Sequence, residues 1–94
     1  MALEIRRDDE EGRFVAPTEH GAATLDYSKI DEDTLDYEST FVPPEDREQG
    51  IGEELVLHAL DWAEENGWRI VPSCPFVKRV VERNPGRGEV VARR

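Results

Sequence analysis

"REQGIGEELVLHALDWAEENGWRIV", residues 47–71, decides the fold. At about 100° per residue, Ile51, Leu55, Val56, Ala59, Leu60, Trp62 and Ala63 fill one arc of a helical wheel. Glu53, Glu54, Asp61, Glu64 and Glu65 fill the opposite arc, and only Leu57 falls out of place. A helix of this kind lies against a sheet. Asn66-Gly67 ends it, with Gly67 suited to a left-handed C-cap. "WRIV" (68–71), bounded by Gly67 and Pro72, then reads as a strand buried on both faces. A helix that joins two strands predicts a parallel crossover. Two of the seven glycines, Gly50 and Gly52, sit at the front edge of this helix. Glycine is about 1 kcal/mol worse than alanine inside a helix, so they need a reason.

The residues before this stretch alternate apolar and polar in short runs broken by turns, the pattern of strands. "LEI" (3–5) and "RFVAP" (13–17) flank the charged turn "DDEEG" (8–12). "AATLDY" (22–27) follows "EHG", and Ala23, Leu25 and Tyr27 share a face. "TLDYESTFV" (34–42) follows "DED", with Leu35, Tyr37, Ser39 and Phe41 on one face. "VPP" (42–44) ends this fourth run, because proline cannot donate to a ladder. After the fifth strand, "PSCPFVKRVVERNP" (72–85) opens a second helix at Pro75, where a missing N–H is harmless. Phe76, Val77, Val80 and Val81 form its apolar stripe, and Pro85 closes it. "GRGEVVARR" (86–94) reads either as a short edge strand around Val90 and Val91 or as tail. The expected order is β-β-β-β-α-β-α: one α+β domain over residues 1–94, with an antiparallel four-strand meander, a crossover helix, a fifth strand parallel to the fourth, and a second helix.

Composition excludes several functions. The 94 residues carry a net charge of −10, distributed unevenly. Residues 1–71 hold 20 acids and 6 bases, a balance of −14, and residues 72–94 hold 2 acids and 6 bases, a balance of +4. Nucleic-acid binding needs a basic face, which the acidic part denies. No run of 18 apolar residues is present to span a membrane, and the N-terminus lacks the apolar core of a signal peptide. A single cysteine, Cys74, precludes an intrachain disulfide or a cysteine metal cluster, and no metal site is expected. The simplest compartment is the cytoplasm. Many acids with two lysines against ten arginines suggest adaptation to a salty cytosol.

A helix N-terminus offers free N–H groups and partial positive charge, and glycines there let an anion approach the backbone. "REQGIG" lacks the Gly-Lys-Ser/Thr of a P-loop and the spacing of the dinucleotide fingerprint. A plain flexible cap is the alternative. Taken with "STFVPP" before it, however, Arg47-x-x-Gly50-x-Gly52 resembles the acetyl-CoA loop of the GNAT N-acetyltransferase superfamily, Arg/Gln-x-x-Gly-x-Gly/Ala. The continuation "VPSCPFV" is similar to the short YjdJ-type branch, which follows the loop with a strand ending Pro-x-Cys-Pro-aromatic-Val. The resemblance is strongest from Tyr37 to Pro85 and implies a minimal GNAT-like fold.

The resemblance implies acetyl-CoA or CoA as cofactor, with its pyrophosphate on the backbone of Gln49, Gly50, Ile51 and Gly52. Arg47 would anchor the loop or a phosphate. The pantetheine arm would lie between splayed strands four and five, on the backbone of Phe41 and Val42. Cys74, before Pro75 at a helix start, would lie near the thioester and could carry the acetyl group; the plain alternative is a small buried hydrophobe. Asn84 could cap its helix or bond a ligand amide. "DDEEG" leaves no room for the helices that usually help bind the acceptor.

Other candidates have plain readings: His58 at the margin of the first helix's arc, His20 solvated in a turn, Asp36 and Glu38 on a solvated sheet face. The expected function is acetyl transfer from acetyl-CoA to an amine of a small molecule or peptide, by a monomer or weak homodimer. A CoA-binding or interaction module without turnover and a thiol sensor centred on Cys74 are the alternatives.

Overall fold

The computed structural model describes residues 4–91. Five strands form one sheet in chain order: β1 (Arg6–Asp8), β2 (Arg13–Thr18), β3 (Gly21–Asp31), β4 (Thr34–Phe41) and β5 (Arg69–Val71). The first three pairings are antiparallel and β4–β5 is parallel, with helix α1 (Ile51–Glu65) as the crossover. Helix α2 (Pro75–Arg83) follows β5, and 3-10 turns occupy Pro44–Asp46 and Pro85–Val90.

Alternation along the strands places Phe14, Ala16, Ala23, Leu25, Leu35, Tyr37 and Ile70 on one buried face. Leu55, Val56, Ala59, Leu60 and Ala63 of α1 and Val77 and Val80 of α2 cover it. At the far end of α1, Trp68 N–H donates to Ala63 O (2.8 Å) and Gly67 N–H to Glu64 O (3.3 Å). Gly67 has φ 75°, so this is the expected left-handed C-cap, in its Schellman form. Tyr37 Oη donates to Ala59 O at 2.6 Å and ties β4 to the middle of the helix.

Several sequence expectations shift. The first strand is Arg6–Asp8, not residues 3–5; Leu3 lies outside the described residues. The turn after it sets the register: Gly12 has φ 68°, and its carbonyl accepts Tyr27 N–H at 2.8 Å. A Cβ on Gly12 would stand 2.9 Å from Tyr27 O. β1 is a charged edge strand, which guards against edge-to-edge pairing. The third strand runs on through Asp31, because β4 pairs along its polar end as well. β5 is not buried on both faces: Ile70 is buried, Arg69 exposed and Val71 half-buried. Both helices pack into the same core on the Phe14–Tyr37 side of the sheet. The expected C-terminal edge strand reduces to a single parallel bridge between Val91 and Ile70.

The most consequential difference is a β-bulge. Tyr27 pairs with Tyr37, but Asp26 pairs with Ser39, so Glu38 has no opposite number. An extra residue flips the alternation beyond it. Leu35 and Tyr37 therefore point into the core while Ser39 and Phe41 point away, Phe41 at 50% exposure. Thr40 and Val42 take the inward side. The expectation that Leu35, Tyr37, Ser39 and Phe41 share a face is overturned by that residue.

Candidate functional site

Pairing between β4 and β5 stops at Asp36 and Val71, yet β4 continues to Phe41. The chain after β5 turns away at Pro72 and starts α2, whose N-cap is Cys74. Cys74 N–H donates to Tyr37 O at 3.0 Å, the last tie before the strands part. A cleft of about 500 Å³ opens beyond this point. Thr40 and Val42 of β4, Gly52 of α1 and Phe76 of α2 line its apolar part. Arg47, Glu48, Glu53 and Arg83 line its charged part.

The two glycines at the front of α1 have different reasons. Gly50 is the N-cap, with φ 77°, and a Cβ there would meet nothing within 4 Å. This left-handed backbone conformation favours glycine, and the space beside it is open. Gly52 is buried, and a Cβ on it would stand 3.0 Å from Phe76 Cζ and 3.3 Å from Val42 Cγ2. Its bare Cα lets α1, α2 and the end of β4 converge. The expectation that both glycines simply clear room for phosphate is thus revised for Gly52, whose missing side chain makes way for Phe76. No side chain caps the helix start, so its first N–H groups have no side-chain partner there, and Gly50, Ile51 and Gly52 line the cleft. Glu48 also has a positive φ of 73°, an uncommon conformation for a residue with a side chain.

Arg47 donates from Nε to Val42 O at 2.9 Å, which fixes the loop against the end of β4. Of the candidate residues, Gln49, Phe41, Cys74 and Asn84 stand outside the lining; Gln49 is exposed in the loop and Phe41 lies on the opposite face of the sheet. Ile51 is buried and contributes to the lining. Cys74 is buried at 6% exposure behind Thr40, with Sγ 3.6 Å from Thr40 Oγ1. Asn84 donates from Nδ2 to Val80 O at 2.8 Å, so its amide nitrogen caps its own helix. His58 is exposed, with its ring edge-on to Phe14 at 6.2 Å.

Sequence reading offered the hydroxyls of "YEST" (37–40), of which Thr40 lines the cleft, but missed Asp46 and Arg83 in the lining and the partner of His20. Asp46 is buried in the 3-10 turn before the loop. Its Oδ2 accepts Thr18 Oγ1 (2.7 Å) and His20 N–H (3.1 Å), and its Oδ1 lies 3.0 Å from His20 Nδ1. These bonds clasp the β2–β3 turn to the loop. The hydrogen bond to Asp46 raises the His20 pKa, and the same bond holds Asp46 below the usual carboxylate range. Residues 26 apart with no periodic relation give no signal of this clasp in the sequence. The flip that brings in Thr40 was equally hidden, since it depends on where the bulge falls.

Comparison with known proteins agrees with this geometry. The profile of the GCN5-related N-acetyl-transferase family matches residues 13–90. Protein NATD1 of Xenopus tropicalis is 30% identical over 66 residues, 70% of this chain and 61% of that protein. Protein NATD1 of Bos taurus is 32% identical over 66 residues, 70% of this chain and 58% of that protein. The chain thus spans about three fifths of the length of these relatives. A GCN5-like candidate N-acetyltransferase from Staphylococcus aureus, solved by NMR, superposes with a TM-score of 0.76 at 29% identity, over 96% of this chain and 88% of that one. The splayed parallel pair, the glycine-started crossover helix and these matches lead to one statement: the chain belongs to the GCN5-related N-acetyltransferase family.

Proposed function

We propose that the chain binds acetyl-CoA in the cleft and transfers the acetyl group to an amine of a small molecule or peptide. The observation that carries this reading is the cleft itself, which runs from the parting of β4 and β5 to the uncapped start of α1. The residues present fit such a ligand. Backbone N–H groups at Gly50, Ile51 and Gly52 suit a pyrophosphate, and the adjacent partial positive charge favours it. The stretch of β4 beyond Asp36 has no β5 partner, so it can bond an extended amide arm. Thr40 and Cys74 sit where the strands part, which supports placing the thioester beside them.

Acetyl-CoA supplies an activated acyl group, so much of the rate comes from holding it and the amine together. Thr40 Oγ1 can donate a hydrogen bond near the reacting carbon or orient Cys74 Sγ. Cys74 would act as an acceptor of the acetyl group or as pocket wall. The alternative, a CoA-binding module without turnover, is favoured by one observation: only the four residues 9–12 join β1 and β2, which leaves the acceptor side without helices.

The deciding experiment is turnover of acetyl-CoA with a panel of amines by wild type and Cys74→Ala. Product from both makes the cysteine wall. Product from wild type alone, with an acetylated Cys74 peptide, makes it a carrier. CoA binding without product from either supports the binding-module alternative and sinks the proposed activity.

A further inference from the structure

The charged part of the cleft contains two arginines, and they are held differently from a third nearby. Arg87, just beyond α2, is locked to Asp61 of α1 by two bonds, Nε–Oδ1 at 3.0 Å and Nη2–Oδ2 at 3.2 Å. That bidentate fork is a strut between the segments. Arg47 uses its Nε on Val42 O. Arg83, from the last turn of α2, reaches Glu53 in the first turn of α1 by one nitrogen only, Nη2 to Oε1 at 3.4 Å. The side chains are 55% and 40% exposed. An exposed, single-point ion pair of this length is weak, and the two elements are already joined by the Arg87 strut. The Arg83–Glu53 contact is therefore not needed to hold the fold together.

A phosphate presents several charged oxygens that match a guanidinium fork, and it binds arginine more strongly than one exposed carboxylate oxygen does. We propose that Arg83 is a specificity-determining residue of the cleft: it leaves Glu53 to bind a phosphate of the CoA ligand. This rests on the reading that the cleft takes acetyl-CoA, and it adds the residue that recognises the ligand's phosphates. Glu53 gives the selection its sharpness. A ligand without phosphates leaves Arg83 on Glu53 and gains nothing from it. A phosphorylated ligand separates the pair, and the helix start then neutralises part of the carboxylate charge left behind.

The test is calorimetric titration of wild type, Arg83→Gln, Glu53→Gln and the double variant with CoA, dephospho-CoA and pantetheine. Both side chains are exposed, so the variants should melt as wild type does. Arg83→Gln should weaken CoA about tenfold, the range for a hydrogen bond to a charged group, and leave pantetheine unchanged. Glu53→Gln should tighten CoA roughly two- to fivefold, and that gain should vanish in the Arg83→Gln background. If Arg83→Gln weakens dephospho-CoA equally, Arg83 binds the pyrophosphate; if dephospho-CoA is indifferent, it binds the ribose phosphate; either supports the proposal. Wild-type CoA affinity in Arg83→Gln overturns it while leaving the cleft's ligand intact. An equal gain from Glu53→Gln with and without Arg83 also overturns it, since Glu53 would then act only as a repelling charge. Absence of CoA binding by wild type removes the reading beneath the proposal, and the proposal falls with it.

Discussion

Gly52→Ala sets two effects against each other, and the structure says which wins. In an exposed helix, alanine for glycine stabilises by about 0.5–1 kcal/mol. At Gly52 the new methyl would lie 3.0 and 3.1 Å from two atoms of the Phe76 ring and 3.3 Å from Val42 Cγ2. Overpacking of this kind destabilises by about 1–3 kcal/mol. Three close contacts on two elements cannot all relax by one small shift, so the net loss should be about 1 kcal/mol. For a chain of 94 residues that lowers the melting temperature by roughly 4–8 °C. Phe76→Leu should relieve the clash: alone it loses stability, and with Gly52→Ala the losses should be less than additive. Urea and thermal unfolding of the four proteins measure this cycle. A Gly52→Ala protein as stable as wild type, or more stable, with Phe76 in place would refute the packing argument and return the glycine to the phosphate alone.

Three further outcomes follow from the same geometry. Tyr37→Phe removes the buried bond to Ala59 O and should lose about 1 kcal/mol in urea unfolding; no loss would mean the hydroxyl is idle. The Asp46–His20 clasp should make stability depend on pH in a defined way. His20 has a raised pKa, so its contribution is full below its ordinary value of 6.5 and fades as pH rises through the folded value. Asp46 has a lowered pKa, so its contribution is full above its ordinary value of 3.8 and fades as pH falls through the folded value. Melting temperature should therefore be highest between those values, and His20→Gln should flatten the decline above 6.5; an unchanged profile in that variant would separate His20 from the effect. Finally, stability should rise with salt, because the −14 balance of residues 1–71 is screened as the Debye length shrinks from about 30 Å at 0.01 M to about 3 Å at 1 M. A melting temperature that does not move over that range would contradict this.

The fold was legible because its decisive signals are local. The wheel of residues 51–63, the Asn66-Gly67 cap and the short "RIV" run each follow from neighbours in the chain, and together they force a parallel crossover. The loop Arg47–Gly52 was legible for the same reason. What stayed hidden depends on contacts between distant residues. The bulge at Glu38 is a mismatch between β3 and β4, invisible in either strand alone, yet it decides that Thr40 and not Phe41 faces the cleft. The role of Gly52 depends on Phe76, 24 residues later, and the clasp on Asp46 depends on a turn 26 residues earlier. Asn84 was open to a local reading: a cap of its own helix was one of its two expected roles, and its side chain satisfies a carbonyl one turn back.

The most direct test of the central claim is an amide-resolved NMR titration of the wild-type protein with acetyl-CoA. The largest shifts should fall on the backbone amides of Gly50, Ile51, Gly52 and Glu53, with a second group at Thr40 and Cys74 where β4 and β5 part. Saturable shifts confined to the β1–β2 edge, or no saturable shifts at all, would contradict it.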